Sequence, residues 1–229
     1  ESRNYPSVGL FDMTVELDAS AKGTHMSRFI EVLEDNCNEI SYEKVLQLSS
    51  AMLARLEAET GYIKVTFPFF VEKLAPVSKV RGVMDYEVTY EVICNKNSPS
   101  IVQLEVIVPV TSLCPCSKNI SDYGAHNQRS HITVRASLKS STLKVEDIIK
   151  IAETSASCEL WSILKRPDEK FVTERAFNNP KFVEDLVRDV AIKLQKLVSQ
   201  NLINGFSVES ENFESIHNHS AFARIDHNI

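Results

Sequence analysis

The chain has 229 residues, 43% of them hydrophobic and 24% charged, with a formal net charge of -6. That is the composition of a globular protein with enough apolar residues for a sizeable core, and the length fits one large domain or two small ones. The acidic balance argues against a broad nucleic-acid surface while leaving room for a local basic pocket, and no run reaches the roughly 18 apolar residues that span a bilayer.

No signal peptide is visible, and the chain does not begin with Met, from which the expectation is that a leader or disordered segment is missing. Met13, Val15 and Leu17 alternate with polar residues and predict a strand, broken at Lys22-Gly23-Thr24. Met26, Phe29, Ile30 and Leu33 then recur at helical spacing. A second helix is expected from about Ser41, its N-cap, to Leu56, with Gly61 ending the helical pair. Ile63 to Phe69 alternate as a strand, with Pro68 pointing to an edge or a strand end. Tyr86 to Cys94 and Val102 to Val110 form a long antiparallel hairpin about a turn at Asn95–Ser100. After a polar loop, Ile132 to Leu138 make another strand and Val145 to Ala152 a helix. Residues 165–169 read as a polar connector, and Asn179-Pro180 as the start of a helix carrying Val183 to Leu197. Asn204-Gly205 is expected to turn the chain into a last strand running from Phe206 towards His219. Nothing alternates as βαβ, so the class is α+β with antiparallel sheet.

The loop between the two central strands concentrates reactive groups: Cys114-Pro115-Cys116, Lys118, His126, Arg129 and His131. One residue between two thiols is a strained spacing for binding one metal through both, so a single ligand from the pair is expected. The blander reading is a buried thiol pair in a polar loop. His217 and His219 follow a strand at period two and would face one side, or they are surface histidines. Glu169 sits in a charged connector of the sort that is usually solvated. Glu184 stands four residues before Arg188, either as an i,i+4 pair or as a carboxylate at the edge of a site. Arg28, Lys118, Arg129, Lys165 and Arg166 are candidate anion binders or ordinary surface charge. No Walker loop or GxGxxG is present. Thiolate, imidazole and carboxylate together describe a borderline-soft metal site. The five cysteines make poor disulfide arithmetic and suit a reducing compartment, read as the cytoplasm.

Taken together, SLCPCSKNIS-DYGAHNQRSH at 112–131, GTHMSRF at 23–29, FPFF at 67–70, APVS at 75–78, RPDEKFVTE at 166–174, NPKFVEDLVRDV at 179–190 and ENFESIHNH at 211–219 closely resemble GTP cyclohydrolase I of type IB. The N-terminus is shorter than in typical members. The resemblance implies a tunnelling fold: a single domain, 1–229, of two units of antiparallel sheet with helix pairs, about 1–110 and 111–229. It also implies a homotetramer with sites near subunit interfaces. The implied reaction turns GTP and water into 7,8-dihydroneopterin triphosphate and formate, the first step towards tetrahydrofolate. By motif, Cys114 matches the metal-binding and catalytic cysteine, and His126, Glu169 and His217 the other metal-proximal residues, with His126 or His217 as proton donor. Glu184 matches the carboxylate that holds the guanine edge. His219, Lys118, Arg129 and Arg28 are carried over for the triphosphate or ribose. The implied cofactor is a divalent metal, zinc first, with manganese and iron(II) left open. Two rivals remain: a nitrile reductase of the same fold acting on a deazaguanine, and a non-enzymatic metal-binding module.

Overall fold

The alternating runs become strands, and the strands meet in chain order. One antiparallel sheet holds β1 (Leu10–Val15), β2 (Thr60–Leu74), β3 (Arg81–Asn95), β4 (Ser98–Leu113), β5 (Asn127–Leu138), β6 (Ile203–Asn212) and β7 (Ala221–His227), each paired with the next. This is a computed structural model, and it describes residues 5–20 and 23–229. Helices α1 (Met26–Asn36) and α2 (Tyr42–Leu56) lie between β1 and β2. The short α3 (Pro115–Ile120) lies between β4 and β5, and α4 (Val145–Glu153), α5 (Arg166–Asn178) and α6 (Val183–Ser199) lie between β5 and β6. The α+β class with antiparallel sheet is therefore as expected. The expected division near residue 110 falls inside β4, which pairs with both neighbours, so the sheet crosses it unbroken.

Period two sorts each strand's side chains between two faces. Ile63, Val88, Leu104, Val106, Val134 and Val208 are fully buried beneath Leu48, Met52, Ile148 and Leu194 of the helices. The other face is polar. There Glu91 pairs with Lys64 at 3.7 Å and with Arg135, and Glu209 takes Arg224 at 3.2 Å. Burial on this face pushes the Glu105 carboxyl up, against the pull of Arg135. Pro68 lies where β2 has outrun β1, whose pairing stops at Leu10↔Thr66, so its missing N–H falls on an edge as expected.

Several local expectations are corrected. The connector at 165–169 is the start of α5. Pro167 occupies its first turn, and the Asp168 carboxylate accepts the Lys165 N–H at 2.8 Å in the return half of a capping box. Helix α5 buries only Asp168 and Ala176, so it carries no apolar stripe to read. Asn179 closes α5 rather than opening α6, whose N-cap is Phe182. The α2 helix ends at Glu57, in the left-handed region at φ 56, and Gly61 is already in β2. Leu17 lies outside β1. The turn before β6 is made at Asn201, φ 62, while Gly205 sits within the strand because a Cβ there would stand 2.2 Å from the Asn228 carbonyl oxygen. The last strand stops at Asn212. Residues 213–220 bend, and β7, unread in the sequence, follows. Of the break at 22–24, Lys22 is outside the described residues.

Candidate active site

The end of β4 leaves its neighbour. Pairing with β3 stops at Glu87↔Ile107, and the segment after α4 takes over the edge. Thr111 and Cys158 exchange backbone hydrogen bonds of 2.9 and 3.3 Å, Ser157 Oγ accepts the Leu113 N–H at 3.2 Å, and the Lys181 N–H reaches the Leu113 carbonyl at 3.1 Å. That segment is itself pinned from inside. Lys73 Nζ donates to Glu153 Oε1 and to the Leu160 carbonyl, both at 2.6 Å, the Tyr86 hydroxyl donates to the same carboxylate at 2.8 Å, and the Trp161 indole donates to the Leu74 carbonyl at 3.0 Å. Burial, with the Glu153 charge alongside, holds the Tyr86 phenol far above its ordinary pKa and keeps it a donor.

Cys114 emerges from this clamp as the N-cap of α3, with Pro115 next. Its amide donates to the His126 carbonyl at 3.1 Å, its Sγ accepts the Ser117 amide at 3.5 Å, and the His126 amide donates to Ser117 Oγ at 3.2 Å. The loop is thus a closed turn that fixes Cys114 beside His126. Cys114 is half-buried and Cys116 exposed, and all five cysteines are free. Burial, aided by Glu159, pushes the Cys158 thiol up to about 11, so it is an inert core thiol.

The His126 ring is 13% exposed. Its Nδ1 lies 3.0 Å from Gln128 Oε1 and 3.9 Å from Glu214 Oε2, and Gln128 Nε2 reaches Glu214 Oε1 at 3.4 Å. Neither Gln128 nor Glu214 was singled out in the sequence. The available signal was strand parity: Ser130 pairs with Asn212, and stepping two residues outward along each strand gives Gln128 and Glu214. The same parity sets a buried network behind the site, with Ser130 Oγ donating to Asn212 Oδ1 at 2.6 Å and Asn212 Nδ2 to Ser112 Oγ at 3.3 Å. The loop after Asn212 is also held: the Phe213 amide donates to the Arg129 carbonyl at 3.0 Å, and its ring meets His131 edge-on at 4.9 Å.

The remaining candidates are distributed around this centre. His217 and His219 are exposed and stack with centroids 5.1 Å apart, so they do share a side, but on a bent loop. Lys118 is committed to the end of α5: Nζ donates to the Phe177 carbonyl at 2.5 Å and lies 4.4 Å above that ring. The Arg129 side chain is exposed and has no partner among the described residues. Glu184 stands exposed in the first turn of α6. Of its two readings, the i,i+4 pair does not form, because Arg188 takes Asp185 at 2.8 Å, which leaves the Glu184 carboxylate without a partner among the described residues. Glu169 is exposed in the first turn of α5. Its neighbour Asp168 is fully buried and accepts from the Val77 and Ser78 amides at 2.8 Å, from Ser78 Oγ at 2.6 Å and from the Lys165 amide. Burial pushes this carboxyl up, but those hydrogen bonds prevail and hold it well below the usual range. Arg28 donates to the Arg55 carbonyl at 3.3 Å, beside the start of β2, which is the opposite end of the sheet from Cys114. Among the described residues no three His, Cys, Asp or Glu side chains converge as a metal cage.

A model of the family described as "Type I GTP cyclohydrolase folE2" matches residues 1–223. The chain belongs to this family. It is 58% identical over 221 residues to a protein named GTP cyclohydrolase FolE2 from Burkholderia ambifaria, covering 96% of this chain and 80% of that one. It is 57% identical over the same length and shares to FolE2 proteins of Burkholderia cenocepacia and Burkholderia multivorans. Among solved structures, a uricase from Bacillus fastidious superposes with a TM-score of 0.58 at 10% identity, over 95% of this chain and 81% of that one. A uricase from Arthrobacter globiformis gives 0.50 at 8%, over 94% and 85%. These likenesses concern the fold alone and agree with the expected tunnelling fold.

Proposed function

We propose that the chain is a GTP cyclohydrolase I, which takes GTP and water to 7,8-dihydroneopterin triphosphate and formate and so feeds folate synthesis. The observation that carries this is family membership across nearly the whole chain, with Cys114 and His126 held together at the site. The nitrile-reductase rival needs no imidazole cluster, and no relative reported above bears that name.

Glu184, without a partner among the described residues, offers two oxygens to the adjacent N1–H and 2-amino donors of guanine. Arg129 and His219, both exposed, are left for the triphosphate or ribose, together with Arg28 supplied by another copy. Lys118 joins them only by leaving its Phe177 contacts. Water adds at C8 and a histidine, His126 or His217, protonates the ring nitrogen as the bond opens. A second addition of water releases formate. The ribose then opens, rearranges and closes on the freed amine.

The donors Cys114, His126, Glu169 and His217 suit a divalent metal, zinc first and then manganese or iron(II). Such an ion would supply Lewis acidity towards water. Glu169 and His217 are exposed and not gathered with Cys114 in one chain, so the set is closed where copies meet, in the proposed homotetramer. The apolar side chains around it support that: Ile120, Tyr123 and Ile216 are 86%, 100% and 63% exposed. A cytoplasmic setting is supported by five free thiols. Among the described residues no helix is long and apolar enough to cross a membrane.

The test is metal-stripped protein given GTP with zinc, manganese or iron(II), read by the fluorescence of oxidised, dephosphorylated neopterin. One metal restores the signal, and Cys114→Ala abolishes it while leaving the circular dichroism unchanged. Folded protein silent with every metal, yet oxidising NADPH with a deazaguanine nitrile, would overturn the reading.

A further inference from the structure

The row Glu214, Gln128 and His126 dictates a tautomer. Gln128 is 8% exposed and stands in register with Ser112 on β4. Its two ends meet different partners: Nε2 faces Glu214 Oε1 at 3.4 Å and Oε1 faces His126 Nδ1 at 3.0 Å. Carboxylate oxygens accept hydrogen bonds, and the NH2 end of the amide faces Glu214. Turning the amide over would set its carbonyl oxygen against the carboxylate. With Oε1 thereby fixed towards the ring, and also only an acceptor, the proton must sit on Nδ1. The direct contact from Nδ1 to Glu214 Oε2, at 3.9 Å, is too long to make the choice by itself.

We propose that Gln128 is a positioning residue, which relays the Glu214 carboxylate to His126 and fixes the ring with its proton on Nδ1 and its lone pair on Nε2. The catalytic consequence rests on the cyclohydrolase reading. Of the two nitrogens, Nε2 is the one left to accept a proton or hold a metal, and its direction is set by the Nδ1 bond. Groups that orient a ligating or proton-carrying histidine in this way are worth about 10–100-fold in metal affinity or activity. The relay also ties the bent 213–220 loop, with His217 on it, to the rigid end of β5.

Long-range 1H–15N spectra of the metal-free protein, above the pKa of imidazole, report the tautomer directly. His126, assigned by its loss in His126→Asn, is expected in the Nδ1–H form. In Gln128→Leu, of similar size, it should revert to the Nε2–H form favoured by free imidazole. The exchanged pair Gln128→Glu with Glu214→Gln, which returns an acceptor to the ring and a donor to its neighbour, should recover the Nδ1–H form. For turnover, Gln128→Leu should lower kcat about 10–100-fold and change KM for GTP less than threefold, with an unchanged unfolding midpoint. An Nε2–H ring in the unaltered protein, or one indifferent to Gln128→Leu, overturns the relay. A tautomer change without a loss in kcat overturns its catalytic role. If the unaltered protein does not turn over GTP but the tautomer responds as described, the cyclohydrolase reading fails and the relay stands.

Discussion

Replacing Lys73 by Met asks whether the segment flanking the β4 end is held from inside. Lys73 and Glu153 are only 12% and 14% exposed, and the pair is shared with the Tyr86 hydroxyl and the Leu160 carbonyl. Removing one partner of a buried pair typically costs 3–5 kcal/mol, because the other charge stays buried without compensation. Slight exposure puts this one at the lower limit, about 3 kcal/mol. For a chain of this size each kcal/mol shifts Tm by about 2–4 °C, so Lys73→Met should lower it by about 6–12 °C. Scanning calorimetry and urea unfolding followed by circular dichroism measure both quantities. The triple change Lys73→Met, Glu153→Leu and Tyr86→Phe removes every buried polar side chain of the cluster and leaves only the Leu160 carbonyl without its donor. It should recover more than half of the lost stability. If Lys73→Met cost under about 1 kcal/mol, the figure for an exposed pair, or if the triple variant were less stable than the single one, the cluster would not be a buried clamp and the account of how the β4 end is held would fail.

Three further outcomes follow from the same geometry. Glu184→Gln keeps the shape of the side chain but loses a charged acceptor, and should cost about 1.5–3 kcal/mol in kcat/KM for GTP, roughly 10–150-fold, with unchanged Tm. In native protein at pH 8, iodoacetamide should label Cys116 within minutes and leave Cys158 unlabelled until unfolding, since only a thiolate reacts and burial keeps Cys158 protonated there. Mass spectrometry of the peptides reads this directly. Asp168 has a folded pKa below its unfolded value of about 3.9, so its stabilisation is complete above that pH and is lost as pH falls towards the folded value. Asp168→Asn should therefore lower stability at pH 7 and flatten its decline below pH 4, as followed by urea midpoints across pH; an unchanged acid limb would refute the assignment.

The central strands were legible because they bury one face, so alternation is written into Val102 to Val110 and Ile132 to Leu138, whereas β7 has no buried residue and went unread. Helix α5 was not. It packs through Asp168 and Ala176, and its signals are those of a cap, Pro167 and an acid in the first turn, which also fit a solvated connector. The pairing of Cys114 with His126 was foreshadowed by their sharing one loop, although the backbone bond between them needed α3, too short to show a period. Gln128 and Glu214 were missed because they look like ordinary polar residues until the β5–β6 register sets them opposite each other. Arg28 illustrates the converse: a motif near the N-terminus lands at the far end of the sheet, and no spacing rule within one chain would have placed it there.

The Asp168 knot also bears on how the molecule can be divided. Its carboxylate comes from α5, in the later half of the chain, whereas three of its four donors belong to Val77 and Ser78 in the hairpin between β2 and β3. A fragment ending at the Lys96-Asn97 turn would keep those donors without an acceptor, and the complementary fragment would keep an acid with one. Either piece alone exposes what the other satisfies, so the halves interlock rather than merely adjoin. Mixed together, they would report their docking through the ionisation of a single side chain, one residue away from Glu169.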